Sequence, residues 1–566
     1  MRCIIAGILL LTTGSWGMCF ERPTPVAGKS GRSPVLANRG MVATSHPLAA
    51  QVGLDILKKG GNAIDAAVAT SAAIGLMEPM SCGIGGDLFA IVWDAKSKKL
   101  YGLNANGRAP RSLNVKIFSD LGLAQIPDSG PLSWSVPGCV DGWEELRKRF
   151  GSLPMKDLLA PSVAYAQEGF PVTEVISGYW RGAERKLAQD PGSRQVYLPG
   201  GKAPRNGELF KNPALAKTYQ MIGEQGRDAF YQGEIAQKLA DFSKQNGGYL
   251  SLEDLQKHRS LWVDPVSTSY RGHEVWELPP PGQGISVLQM LNLLEKYDLR
   301  SMGPNSADYW HLLLEAKKLA YADRARFYAD PEFVPVPVKE LISKPYAEKR
   351  RALIQMDKAL TGTPPGDPKI SKSDTIYLCA VDKDHNCVSL IQSNYYGFGS
   401  GMTPGDLGFA LQNRGCLFSL DVKHPNRFEP GKRPFHTIIP ALVTKEGKPY
   451  FVFGVMGGDM QPQGHVQVLC NLIDFQMNVQ TAGEAPRVEH KGSATPTGLE
   501  GDKEGGTAIL EQGIPEPVAR ELARRGHKIT WTRVNGGGYQ GILIDPQTGI
   551  LHGGSEARKD GAAVGW

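Results

Sequence analysis

The chain has 566 residues, 41% hydrophobic and 21% charged, which is more than one typical domain needs and ample for a sizeable core. Its 63 basic and 57 acidic residues leave a formal charge of +6. The basic residues do not interleave with aromatics, so the composition argues against a nucleic-acid partner. Lys349, Arg350 and Arg351, directly after Glu348, read as a solvated helix face.

At the N-terminus, Arg2 precedes an apolar run, Ile4 to Leu11, followed by small and turn residues through Gly17. The run is too short to span a bilayer, so it predicts a signal peptide ending near residues 17–20 and a secreted, periplasmic or extracellular protein. Trp16, Gly17 and Met18 make a poor lipid-attachment signal ahead of Cys19, and no later stretch is apolar enough for a membrane helix. None of the eight cysteines forms a CxxC pair, which argues against a metal cluster and a dense disulfide framework. Cys379 and Cys387 flank a predicted turn and could approach each other, although buried free thiols are the default.

Residues 21–40, rich in proline, glycine and serine, read as a loose leader. His46-Pro47 starts a helix that Gly60-Gly61 stops, and Asn62 caps an alanine-rich second helix from Ala63 to about Leu76. A glycine-studded loop, Met77 to Asp87, leads into a strand at Leu88–Trp93, a turn at Asp94–Lys99 and a strand-to-loop transition at Leu103–Pro110. Residues 145–260 mix short helices with loops. After Pro279-Pro280-Pro281 come helices at Ile285–Leu294 and about Ser306 to Tyr328; the second carries Tyr309, Leu312, Leu313, Ala316, Ala320 and Phe327 at helical spacing. Residues 361–374, with three prolines, two glycines and two lysines, form the clearest linker in the chain. A hairpin follows at once: Thr375–Val381, the turn Asp382–Asn386, and Cys387–Gln392. Further strands are predicted at Ile438–Val443 and Tyr450–Val455, and helices at about His465–Phe475 and 516–526, with Gly457-Gly458 between strand and helix. No internal repeat is evident.

The chain has no G-x-S-x-G elbow, Walker A loop, Rossmann glycine fingerprint or H-E-x-x-H. A threonine at a linker-to-strand junction offers different chemistry. If the linker is cut, the new α-amino group, with an ordinary pKa of ~8, can serve as general base for the hydroxyl of the same residue. Nucleophile and base then share one residue, and no metal or organic cofactor is implied. The backbone N–H groups of Gly457 and Gly458 can face a developing oxyanion, or the pair can simply be a tight turn.

Ordered motifs along nearly the whole mature chain resemble the γ-glutamyltranspeptidase (glutathione hydrolase) family: GGNAIDAAVA at 60–69, the Gly83–Gly86 loop, VPGCVDGW at 136–143, PPPGQG at 279–284, EAKKLAYADRARFYADPEF at 315–333, TIYLCAVDKDHN at 375–386, KRPFHTIIPALV at 432–443, GVMGGDMQPQG at 454–464 and the terminal Gly565-Trp566. The resemblance implies an α+β, four-layer αββα sandwich of the N-terminal nucleophile hydrolases. It implies a precursor that cuts itself into a large subunit, residues 21–374, and a small catalytic subunit, 375–566, held together as a heterodimer. Thr375 then matches the nucleophile, Ser393 its supporting hydroxyl, and Gly457 and Gly458 the oxyanion pair. The substrates implied are γ-glutamyl amides such as glutathione, attacked through a covalent acyl-enzyme, with water or an amino acid or peptide as acceptor.

The substrate pocket departs from the family pattern. Asn106 stands where an arginine for the substrate α-carboxylate is expected, with Arg108 displaced by two positions. Leu417 replaces the aspartate for the α-amino group, a nearby polar position becomes Arg414, the usual serine pair becomes His436-Thr437, and Tyr395, beside Asn394, takes the place of an asparagine. The stretch between Ser419 and Pro434 is short for the lid found in some members. A buried ammonium without a partner costs several kcal/mol, and an arginine favours an anionic or neutral acyl group. This pattern is similar to that of the glutaryl-cephalosporin acylases within the family, whose acyl group has no α-amino group. A non-catalytic homologue that stays uncut is the third expectation, opposed by the presence of Thr375 and both glycines.

Overall fold

The expected hairpin forms and sits at the centre of a sheet. The computed structural model describes residues 30–361, 373–533 and 537–566; the expected signal peptide and all but the ends of the linker lie outside these residues. The hairpin strands, Ser373–Asp382 and Cys387–Tyr396, occupy the middle of a seven-stranded antiparallel sheet. Its order is Ala562–Gly565, Gly40–Thr44, Ser373–Asp382, Cys387–Tyr396, Asp87–Asp94, Lys99–Ala105, Leu261–Val263. A second antiparallel sheet of seven is stacked on it, in the order Val35–Ala37, Leu551–Ser555, Tyr539–Ile544, Lys448–Val455, Ala441–Lys445, His273–Glu277, Val266–Tyr270. Both central strands of the hairpin read as near-continuous apolar runs because they are covered on both faces.

Helices Pro47–Lys58 and Ala63–Met77 cover the first sheet, and helices Ile285–Leu294, Met460–Ile473 and Val479–Glu484 cover the second, giving the αββα layering expected. Small residues in the first helix pair are a packing requirement. A Cβ on Gly53 would stand 2.2 Å from the Thr70 hydroxyl oxygen, and one on Gly75 would stand 3.1 Å from the Gly83 Cα. All fifteen residues of Ala63–Met77 are buried. Asn62 caps this helix in a reciprocal box with Asp65. Asp65 also accepts from the Ser152 hydroxyl at 2.6 Å and from the Ser152 and Leu153 backbone N–H groups.

Several boundaries differ from expectation. Residues 35–37, read as leader, and 40–44, of which only Gly40 was read so, are strands paired to Leu551–Ser555 and Ser373–Asp382. The strand carrying Thr375 begins at Ser373, inside the expected linker, because Ser373 and Asp374 pair with Tyr396 and Tyr395. The strand expected at Ile438–Val443 is Ala441–Lys445, and the helix expected from His465 starts at Met460, with Pro462 in its first turn where a missing N–H is harmless. Cys379 and Cys387 are buried and free. Among the described residues no helix is long and apolar enough to cross a membrane.

Replacing Asp65 with alanine removes the cap and leaves the Ser152–Leu153 turn unpartnered. The expected loss is about 2–4 kcal/mol, read as a lower denaturant midpoint with an unchanged m-value.

Candidate active site

Thr375 is almost fully buried in the middle of the first sheet, at a break in the ladder between Asp374 and Ile376. The break is a bulge on the partner strand: Ser393 and Asn394 stand opposite Thr375 alone. Its Oγ1 lies 3.2 Å from the Ser393 Oγ on the neighbouring strand, and Ser393 Oγ accepts from the Tyr395 N–H at 2.8 Å. Tyr395 takes a positive φ of 79°, which turns the chain sharply after Asn394. The Gly83–Gly86 loop presses against this point: a Cβ on Gly86 would stand 2.3 Å from the Ser393 carbonyl oxygen and 2.5 Å from Asn394 Oδ1.

Gly457 and Gly458 have φ of 116° and 58° and lead into helix Met460–Ile473. A Cβ on Gly457 would stand 2.9 Å from the Gly537 nitrogen, so only glycine fits. The loop is bracketed by residues inside the quoted motifs. Gln283, of PPPGQG, donates to the carbonyls of Thr437 (2.6 Å) and Gly458 (2.9 Å). Arg324, inside the long helix Ala307–Phe327, donates to Gln283 Oε1 at 2.6 Å and pairs with Asp459 at 2.7 Å. Sequence reading missed both residues. The available signal was a wholly buried arginine on the apolar side of a helix, which must have a partner.

Arg414, His436, Thr437 and Asn394 are brought together beside Thr375's support. Arg414 is wholly buried, donates from Nη1 to the Thr437 hydroxyl at 2.8 Å, and lies 4.4 Å over the Tyr395 ring centroid. Among the described residues its Nε and Nη2 have no partner, and neither has Asn394 Oδ1. Burial lowers its pKa to about 10, opposed by the carboxylate of Asp87. Asp87, at the end of the glycine loop, was not singled out from the sequence. It accepts from the Gly107 N–H (3.0 Å) and from Gln412 Nε2 (2.9 Å), and contacts His436 Nε2 at 3.1 Å. The Ile438 N–H points at His436 Nδ1, so the Nε2–H donates to Asp87. Burial raises Asp87 to about 7, with Arg414 pulling the other way, and burial holds His436 well below its ordinary value.

Arg108 is placed elsewhere. Its guanidinium pairs with Glu332 at 2.6 Å and donates to the Gly431 carbonyl. Asn106 is buried, donating to the Pro434 carbonyl. A cavity of about 280 Å³ opens between Tyr395, Tyr396 and Asp459, with Leu417, Phe418 and Phe435 in its walls. His311, Glu315 and His527 bring three ligand-type atoms within 4.8 Å of one another, but Lys318 already sets its ammonium 2.8 Å from Glu315. That carboxylate oxygen is already paired with a side-chain cation, and His311 Nδ1 lies 2.8 Å from His527 Nε2.

The stacked sheets with an interior hairpin carrying the threonine define an N-terminal nucleophile hydrolase fold. The family model for gamma-glutamyltranspeptidase matches residues 49–566, and the chain belongs to that family, an enzyme family of hydrolases and transferases. It is 38% identical to an acylase ACY 1 proenzyme of Pseudomonas sp. (strain SE83), over 94% of each chain. It is 36% identical to a glutathione hydrolase-like YwrD proenzyme of Bacillus subtilis (strain 168), over 94% of this chain and 99% of the other. The crystal structure of a cephalosporin acylase from Bacillus halodurans superposes with a TM-score of 0.88 at 43% identity, covering 96% of this chain and 99% of that one.

Replacing Gln283 with leucine removes both carbonyl contacts and Arg324's partner at similar volume. The expected result is a 10- to 100-fold fall in kcat with an unchanged far-UV circular dichroism spectrum, because a loop at positive φ loses its external bracket before the fold is lost.

Proposed function

We propose that the protein is a precursor that cuts itself between Asp374 and Thr375 and then uses Thr375 to cleave γ-glutamyl and related acyl amides. The observation that carries this reading is the buried Thr375–Ser393 hydroxyl contact at a bulge, in a chain whose two-glycine loop leads through Asp459 to a cavity shared with Tyr395. In the first reaction the Thr375 oxygen attacks the Asp374 carbonyl carbon. The C–N bond breaks, the nitrogen takes a proton, and an ester links the two halves until water hydrolyses it. The freed α-amino group then accepts the hydroxyl proton as the oxygen attacks a substrate amide. The Gly457 and Gly458 N–H groups face the oxyanion, the amine departs with that proton, and water or an amino acid or peptide takes the acyl group from Thr375.

Strands from both sides of residue 375 interleave in both sheets, which supports two fragments, residues 21–374 and 375–566, that stay together as a heterodimer. We read residues 1–20 as an export signal from the Ile4–Leu11 run. On a denaturing gel, purified protein should show two bands, the smaller beginning at Thr375 by N-terminal sequencing. Thr375→Ala should give one full-length band and no amidase activity. A wild-type preparation that stays full-length and still turns over amides would overturn the proposal.

A second reading concerns the acyl group. Leu417 lines the cavity where the family pattern has a carboxylate, and Arg414 keeps two N–H donors unpartnered behind Tyr395. An ammonium loses its partner there and an anion gains donors, which supports preference for a dicarboxylic acyl chain, as in the acylases. Glutaryl p-nitroanilide should be hydrolysed with at least ~10-fold higher kcat/KM than γ-glutamyl p-nitroanilide, the penalty of an ammonium without a partner. Equal or better turnover of the γ-glutamyl compound sinks this reading and leaves the first intact.

A further inference from the structure

Arg414 is a buried cation that ends at no carboxylate in direct contact. Among the described residues its Nη1 donates to a neutral hydroxyl, that of Thr437, and two of its donor nitrogens have no partner. Other unpartnered buried polar atoms belong to residues around it: Asn394 Oδ1, Gln412 Oε1 and Asn106 Oδ1. Such a concentration is costly unless another group completes it. The acidic side chain that acts on Arg414 is Asp87, which reaches it through space while its own oxygens are held by Gly107, Gln412 and His436.

Asp87 stands at a junction of three segments. It ends the glycine loop that presses on Ser393 and Asn394, it fixes Gly107 in the Asn106–Arg108 segment, and it holds His436, next to the Thr437 that takes the Arg414 bond. His436 is wedged from its other side by the Phe89 ring, with centroids 4.7 Å apart. The ring therefore has little freedom: Asp87 on Nε2, the Ile438 N–H on Nδ1 and Phe89 on its face.

We propose that Asp87 is a positioning and specificity-determining residue of the acyl pocket: held against His436 and opposite Arg414, it sets the charge that the pocket presents to the far end of the acyl chain. This rests on the reading that Arg414 receives that end. When Asp87 is protonated, Arg414 stands uncompensated and attracts a terminal carboxylate. When Asp87 is ionised, the pair is neutral overall and the attraction falls.

The groups facing Asp87 are Arg414, His436 and the Cys139 thiol on helix Cys139–Phe150. His436 is held neutral by burial and Cys139 is pushed well above its ordinary value, so Asp87 is the group of this set that titrates near neutrality. With its pKa raised to about 7, the change falls within the assayable range. A carboxylate brought beside Asp87 raises that pKa by about one unit, so by linkage a carboxylate-ended chain should bind about tenfold more weakly above the transition than below it.

The test compares glutaryl p-nitroanilide with butyryl p-nitroanilide, of equal chain length but no terminal charge, from about pH 5.5 to about pH 9. The ratio of their KM values, glutaryl over butyryl, should rise about tenfold with pH in the wild-type enzyme, and the ratio cancels titrations common to both. In Asp87→Asn the ratio should be independent of pH and close to its low-pH wild-type value. Glutaryl turnover with a pH-independent ratio in the wild-type enzyme overturns the role of Asp87 alone, whether or not the variant folds. Butyryl turnover without glutaryl turnover overturns the dicarboxylic reading and this inference with it.

Discussion

The strand carrying Thr375 lies inside a sheet, paired on one flank ahead of Thr375 and on both flanks from Leu378 onward. Ser373–Asp382 is bonded to Cys387–Tyr396 on one flank and to Gly40–Thr44 on the other. The break in register at Asp374/Ile376 puts the peptide bond ahead of Thr375 outside regular pairing. From Ile376 onward the strand is held by its neighbours irrespective of what precedes it. A cut ahead of Thr375, as proposed, would therefore leave the rest of the strand in its ladder, and the surrounding residues would have only to aim at one fixed oxygen.

That aim comes from polar groups buried in an apolar frame, where each must be satisfied or cost stability. Gln283 shows the economy of the arrangement. One amide joins the Thr437 carbonyl, the Gly458 carbonyl and Arg324, and so ties the acyl-pocket segment, the glycine loop and a long helix to one another. Arg324 in turn reaches Asp459 at the start of helix Met460–Ile473, while Tyr321, one turn earlier, donates to the Asp459 carbonyl at 2.5 Å. The glycines need this external bracket because their backbone, at positive φ and packed against Gly537, has no side chains with which to hold itself.

The sequence made the hairpin legible for local reasons: a polar turn between apolar runs, with a proline-rich stretch ahead. The helix pair was legible from Pro47 and Asn62, whose caps form as drawn. The outer strands were not. Tyr539–Ile544, Leu551–Ser555 and Ala562–Gly565 are short and carry Gly541, Gly553, Gly554 and Gly565, which read as turns. They are strands because neighbours leave no room for a side chain: a Cβ on Gly553 would stand 2.4 Å from the Met41 sulfur. That is a tertiary fact without a local signature. At the site, Thr375, Ser393, Arg414, His436, Thr437 and the glycine pair were within reach of motif reading, whereas Asp87 sits at the end of a glycine loop, where an aspartate ordinarily serves only the turn. Arg108 shows the converse. Its type and position suggest a pocket role, but Glu332, far along the chain, claims it.

The pocket's charge also bears on why a member of this family would carry His436-Thr437. The family pattern has a serine pair, two small hydroxyls, at these positions. Here one position becomes an imidazole committed to Asp87 and the other a hydroxyl committed to Arg414, so neither is left over for an ammonium. If Arg414 receives the far end of the acyl chain as proposed, Leu417 in the cavity wall offers an ammonium no partner, while Arg414 keeps two donor nitrogens without a partner among the described residues. Acyl specificity on that proposal is a property of the connected set Asp87, His436, Thr437 and Arg414, and a change of substrate class requires the set to change together.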